Sequence, residues 1–136
     1  MSKVFLGGTC NESTWRNELI PMLKIDYFNP VVDDWTPECQ AEEERQKASV
    51  CDVHLFVITP RMTGVYSIAE VIESAILKHH NCIFCYLSKD NDTEFSKGQK
   101  KSLDAVGMMV VKYDGVWCDS LEQVAEYINT NFASYD

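Results

Sequence analysis

The sequence predicts an α/β domain in which a parallel sheet of five strands is flanked by helices. Three observations carry that prediction. Short apolar runs alternate with amphipathic stretches along the whole chain. One of them, Val53 to Ile58, is apolar apart from His54, as expected of a parallel strand covered on both faces. Turn residues close the runs, Gly7-Gly8 after the first and Asn29-Pro30 after the second.

Val4-Phe5-Leu6 reads as the first strand. Asn11, Ser13 and Thr14 offer caps for a helix whose apolar positions are Trp15, Leu19, Ile20, Met22 and Leu23. Pro21 kinks or stops that helix. Tyr27-Phe28 is a short second strand, and Val31 to Glu38 a loop rich in Asp, Trp and Pro. A polar, acidic helix runs from about Pro37 to Ser49, and Val53 to Ile58 is the third strand. Ser67 to Lys78 is the third helix, with Ile68, Val71, Ile72, Ala75 and Ile76 as its apolar stripe. Cys82 to Leu87 is the fourth strand, and the polar stretch Ser88 to Gly98 leads into a weak helix ending near Ala105. Met108 to Lys112 reads as the fifth strand and Ser120 to Phe132 as the final amphipathic helix. The pattern is of flavodoxin or Rossmann type, with one domain over residues 1–136.

Composition narrows the class. Apolar residues make up 46% and charged residues 24%, which suits a globular protein with a normal core. No run of about 18 apolar residues occurs, so no membrane span is expected. A strand within three residues of Met1 leaves no room for a signal peptide, and the expected location is cytoplasmic. The net charge of −9 argues against a nucleic-acid polymer as partner, since such binders carry basic stripes. Small nucleotides stay open, because backbone N–H donors can hold them. Of the six cysteines, Cys82 and Cys85 form C-x-x-C, but within a strand they point to opposite faces and read as buried thiols. No metal or cofactor is expected.

The residues that could carry chemistry gather after the first and third strands. Gly7-Gly8-Thr9 serves either as a tight connection or as a ligand loop, and the full G-x-G-x-x-G fingerprint is absent. Glu70 has two readings. Ser67-x-x-Glu70 matches a capping box, which would spend the carboxylate on its own helix. Its place in the first helical turn after a central strand, behind a loop with Gly64 and no hydrophobic plug, instead suits a ligand crevice. Asp52 is a second candidate catalytic carboxylate, structural or a partner of Glu70, though at the opposite end of the third strand. His54 reads as a satisfied core histidine, and His79-His80 as a favourable helix C-terminus. Glu42-Glu43-Glu44 reads as a solvated helix face from which one residue can point to the crevice. Asp33-Asp34-Trp35 is the loop best placed to close over a ligand.

Several of these motifs together resemble the nucleoside 2-deoxyribosyltransferase-like family: Lys3-Val4-Phe5-Leu6-Gly7-Gly8 with Trp15-Arg16, Asn29-Pro30, Cys51-Asp52-Val53 and Ser67-Ile68-Ala69-Glu70. They span about the first ninety residues. The resemblance implies a flavodoxin-like fold, frequent oligomers, and cleavage of the N-glycosidic bond of deoxynucleosides or their 5′-monophosphates. Glu70 falls at the position of the family's nucleophile. Gly7, Gly8 and Thr9 would line the sugar or phosphate side, Ser67 would take a 5′ hydroxyl or phosphate, Trp35 and Tyr66 would stack on the base, and Gly64 would also border the substrate. The partner is then a small nucleoside or nucleotide, and the protein a homodimer or higher homo-oligomer. Three features differ. Gly64 stands where the transferases carry an Asp six positions before the nucleophile, and Gly7-Gly8-Thr9 replaces an aromatic residue. The chain from Ser88 onward lacks their Asn-containing tail. The general acid is unassigned, and a non-catalytic nucleotide-binding module of the same fold is the alternative.

Overall fold

The computed structural model describes residues 2–10, 12–32 and 36–133. Asn11 and the Asp33-Asp34-Trp35 segment therefore lie outside the described residues. The first strand, β1, covers Lys3–Gly8 and is followed by a short helix, α1, at Trp15–Leu19. A tight 3-10 turn, Ile20–Met22, continues α1 where Pro21 ends its regular bonding. Thr14 is the N-cap residue but gives no side-chain bond, and the Ser13 hydroxyl instead donates to the Asp90 carboxylate at 2.6 Å. β2 is Asp26–Phe28 and α2 is Pro37–Arg45, started by the Thr36 hydroxyl, which accepts from the Cys39 amide at 3.1 Å. A single π turn, Gln46–Val50, closes α2, with the Cys51 amide bonded to the Gln46 carbonyl at 2.7 Å.

β3 (Val53–Ile58) is buried at every residue and leads through a loop to α3 (Tyr66–Lys78). β4 is Cys82–Tyr86, and a small antiparallel hairpin follows, β5 (Lys89–Asp90) and β6 (Thr93–Glu94). α4 (Lys97–Lys112) opens on a full capping box between Ser96 and Gln99. β7 is Val116–Cys118 and α5 is Leu121–Phe132. The main sheet is parallel throughout, in the order β2-β1-β3-β4-β7.

Helices cover both faces of the sheet. Trp15 and Leu19 of α1 and Val124 and Ile128 of α5 bury against Val4, Leu6, Leu55 and Ile83 on one face. Val71 and Ala75 of α3 and Leu103 and Val110 of α4 bury against Phe5, Phe56, Ile58 and Phe84 on the other. Cys82 and Cys85 divide between the two layers, and burial pushes each thiol up to about 12. Among the described residues no group of three or more His, Cys, Asp or Glu is placed to hold a metal ion.

The expected fifth strand at Met108–Lys112 is instead the last part of α4, and the true edge strand is β7. The apolar run there does not alternate. Leu103, Gly107 and Val110 follow helical spacing and are buried, whereas Met108, Met109 and Val111 face outward. Gly107 continues the helix because α4 presses on Trp117: a β-carbon there would come within 2.4 Å of the indole. Gly107→Ala should therefore lower unfolding free energy by about 1–3 kcal/mol in urea titrations, although alanine is the better helix former.

His54 is the core histidine expected from the sequence. Its Nε2 lies 2.8 Å from the Lys47 carbonyl oxygen, so Nε2 carries the proton, and Nδ1 accepts from the Ser74 hydroxyl at 2.8 Å. Burial pushes the imidazole down to about 4, against the carbonyl bond that favours its charge. An unfolded imidazole titrates near 6.5, so the unfolded chain binds the proton first as pH falls. The stability linked to His54 is complete above about pH 6.5 and is lost as pH falls toward 4, by about 3 kcal/mol in all. Unfolding titrations at pH 7 and 4.5 should show this loss in the wild type and a smaller one in His54→Gln.

Candidate active site

The strand order sets the place of the site. The chain leaves β1 toward β2 on one side, and β3, on the other, leads away to β4. The loops after β1 and β3 thus diverge and open a crevice at the carboxyl ends of those two strands. A cavity of about 570 Å³ lies there.

Its floor is the turn after β1. Gly8 has φ of 114°, and a β-carbon on it would meet the Val57 carbonyl oxygen at 2.0 Å. A β-carbon on Gly7 would meet the Phe56 ring at 2.8 Å. Both glycines are thus demanded by packing on β3 and also line the cavity. Thr9 is buried, and its hydroxyl accepts from the Thr59 amide at 2.9 Å, tying the two loops together. Arg16 lies beneath them and donates to the carbonyls of Leu6 at 3.0 Å and Thr9 at 2.7 Å, while Trp15 also donates to Thr9 at 2.9 Å. Its guanidinium spends itself on the backbone of this turn and fixes the floor.

The wall facing it belongs to the loop after β3 and the start of α3. Gly64, Tyr66 and Ser67 all line the cavity. A β-carbon on Gly64 would meet nothing within 4 Å, so the cavity is open at this residue. Tyr66 is 72% exposed at the rim, with the Lys47 ammonium 5.9 Å from its ring centroid. The remaining side includes Pro30, Val31 and Val32.

The capping-box reading of Ser67 and Glu70 is corrected by the position of the helix start. Val65 is the N-cap residue of α3, and no side chain caps that end. Ser67 is then the second helical residue, and Glu70 falls in the second turn rather than the first. Glu70 turns its carboxylate to the cavity, where Oε2 accepts from Lys47 Nζ at 2.5 Å. The pair is largely sheltered, with side-chain exposures of 11% and 20%. Burial works against the Lys47 charge, but the hydrogen bond and charge of Glu70, with smaller pulls from Tyr66 and Glu43, outweigh it and raise the pKa.

Glu43, on α2 one helical turn before Lys47, lines the same cavity. Burial raises its pKa, and the negative charge of Glu70 raises it further against the pull of Lys47. Of the three consecutive glutamates, Glu42 is spent on Arg45 at the surface, its carboxylate held down at about 2 by hydrogen bonds from Arg45 and Gln46. Glu43, Glu44 and Glu70 thus all line the cavity, with Glu43 biased toward its protonated form and Glu70 bonded to an ammonium.

Asp52 does not join them. It sits before β3 at the opposite end of the sheet, where its oxygens accept from the Ser2 hydroxyl and the Lys3 amide, each at 2.8 Å. Asp52 ties the chain start to β3, and a catalytic part for it has no geometric support. Trp35 lies outside the described residues. Sequence reasoning missed Lys47, noted Arg16 only as part of a motif without a role, and singled out Glu43 only as one of three. The available signal was the i, i+4 spacing of Glu43 and Lys47, which puts both on one helix face.

A doubly covered parallel sheet with a carboxylate-lined crevice at its β1–β3 switch point defines a small-ligand α/β domain. Residues 1–90 match the family described as nucleoside 2-deoxyribosyltransferase like, and the chain belongs to that family. Comparison with curated proteins and with solved structures returned no match.

Proposed function

We propose that this protein cleaves the N-glycosidic bond of a 2′-deoxynucleoside or its 5′-monophosphate and passes the sugar to an acceptor base or to water. One observation carries the reading: the Glu70 carboxylate is not spent on its helix but faces the cavity, paired to Lys47 beside the protonation-prone Glu43. Glu70 Oε1 attacks C1′ as the bond from C1′ to the base nitrogen breaks, through an oxocarbenium-like transition state. The electron pair of that bond goes to the base, which takes a proton from Glu43. Water or a second base then attacks C1′, giving its proton to the Glu43 carboxylate, and Glu70 leaves as the carboxylate that Lys47 receives.

Gly7, Gly8 and Thr9 bear on the sugar, Gly64 and Ser67 on its 5′ end, and the exposed ring of Tyr66 on the base. The exposed Ile76, Leu77, Met108 and Met109 of α3 and α4 support assembly into a homodimer or higher oligomer. The buried thiols Cys51, Cys82, Cys85 and Cys118 suit the reducing cytoplasm.

The open space at Gly64 favours a second reading, a module that binds a nucleotide without turnover. Incubation with a panel of deoxynucleosides and their 5′-monophosphates, with and without a free acceptor base, separates the cases. Base released without acceptor supports hydrolysis, and release only with acceptor supports transfer. Binding with no release favours the module and contradicts the enzyme.

A further inference from the structure

We infer that Ser74 and His54 are positioning residues that hold Lys47 against Glu70, closing a ring through the core to the cavity. The inference rests on the reading of Glu70 as nucleophile. Glu70 and Ser74 lie four residues apart on α3, so both face the turn that carries Lys47. The Ser74 hydroxyl donates to His54 Nδ1 at 2.8 Å, and His54 Nε2–H donates to the Lys47 carbonyl at 2.8 Å. Lys47 Nζ returns to Glu70 Oε2 at 2.5 Å. Ser74 is 4% exposed and His54 is 4% exposed, so the bond between them is shielded from bulk water, and the bond to the Lys47 carbonyl is partly so.

The need for such a ring lies in the backbone beneath Lys47. α2 buries no residue, and its last turn widens into the π turn Gln46–Val50. A polar helix ending in an irregular turn has little packing of its own to fix a lysine side chain. His54 supplies the missing anchor from the most buried strand of the sheet. The nucleophile gains in both half-reactions. With Oε2 engaged, Oε1 is left to form the bond to C1′, and the ammonium stays in place for the carboxylate that leaves when that bond breaks.

Four variants test the ring: Lys47→Met, Lys47→Arg, Ser74→Ala and His54→Gln, with near-ultraviolet dichroism as the check on folding. The readouts are kcat and KM for base release and the hydrogen exchange of the Lys47 ammonium by NMR. Lys47→Met should lower kcat about 100-fold with little change in KM, and Lys47→Arg should recover most of that loss. Ser74→Ala, the smallest change and the one that folds even if His54→Gln does not, should lower kcat about tenfold and speed exchange of the ammonium protons. An active wild type in which Ser74→Ala leaves kcat unmoved overturns the ring alone, whatever the exchange does. A wild type that releases no base overturns the nucleophile reading on which the ring rests.

Discussion

Glu70→Gln is expected to reduce base release on the order of ten-thousandfold or more while the protein stays folded. The amide keeps the shape and an acceptor for Lys47 but has no anionic oxygen to attack C1′. Replacing the ion-pair bond from Lys47, 2.5 Å long in a sheltered site, by one to a neutral amide should cost about 1–3 kcal/mol of stability. That is far less than the change in rate, and the gap between the two is the diagnostic. Steady-state kinetics beside urea unfolding of the same preparation measures both. A variant that loses only stability and keeps its rate would reduce Glu70 to a structural partner of Lys47.

Glu43→Gln is expected to have the second largest effect, a fall of about 100- to 10,000-fold in kcat, as for loss of a general acid. The acid must carry its proton when the base departs. Burial, and then the charge of Glu70, favour that form by raising the pKa. The acid form is lost as pH rises through the raised pKa, so the wild-type rate should fall on the alkaline side. Glu43→Gln should remove that limb, leaving a low rate that no longer falls there. A substrate whose leaving base needs no proton should recover most of the loss, and retention of the alkaline limb would exclude Glu43 as the donor.

Much of the fold was legible because its signals are local. β1, β3 and β4 are continuous apolar runs bounded by turn residues, and α3 and α5 carry clear helical stripes. The end of α4 was not legible, because Met108-Met109-Val110-Val111 looks like a buried strand. Only contact with Trp117 shows that Gly107 and Val110 are the inward side. β7 has three residues and follows Asp114, which takes a positive φ of 66°, so its own signal is too short to stand out.

The site divides in the same way. The loops after β1 and β3 could be found because strand order places ligands there, and Glu70 was singled out with them. Ser67-x-x-Glu70 misled as a cap because the helix begins at Tyr66, which moves Ser67 past the capping position. Glu43 and Lys47 were hidden because α2 has no apolar stripe from which to read its inward face. The π turn then breaks the periodicity that could have supplied one. Asp52 was conspicuous in sequence but belongs to the far end of the sheet.

The central claim is a covalent bond between Glu70 and the sugar. Acid-quenched reaction of the wild type with a cleaved deoxynucleoside, followed by proteolysis and mass spectrometry, tests it. The account predicts a deoxyribosyl mass on the peptide that carries Glu70, absent from Glu70→Gln and discharged by added acceptor base or water. Rapid turnover with no adduct on that peptide at any quench time, or an adduct on another residue, would contradict it.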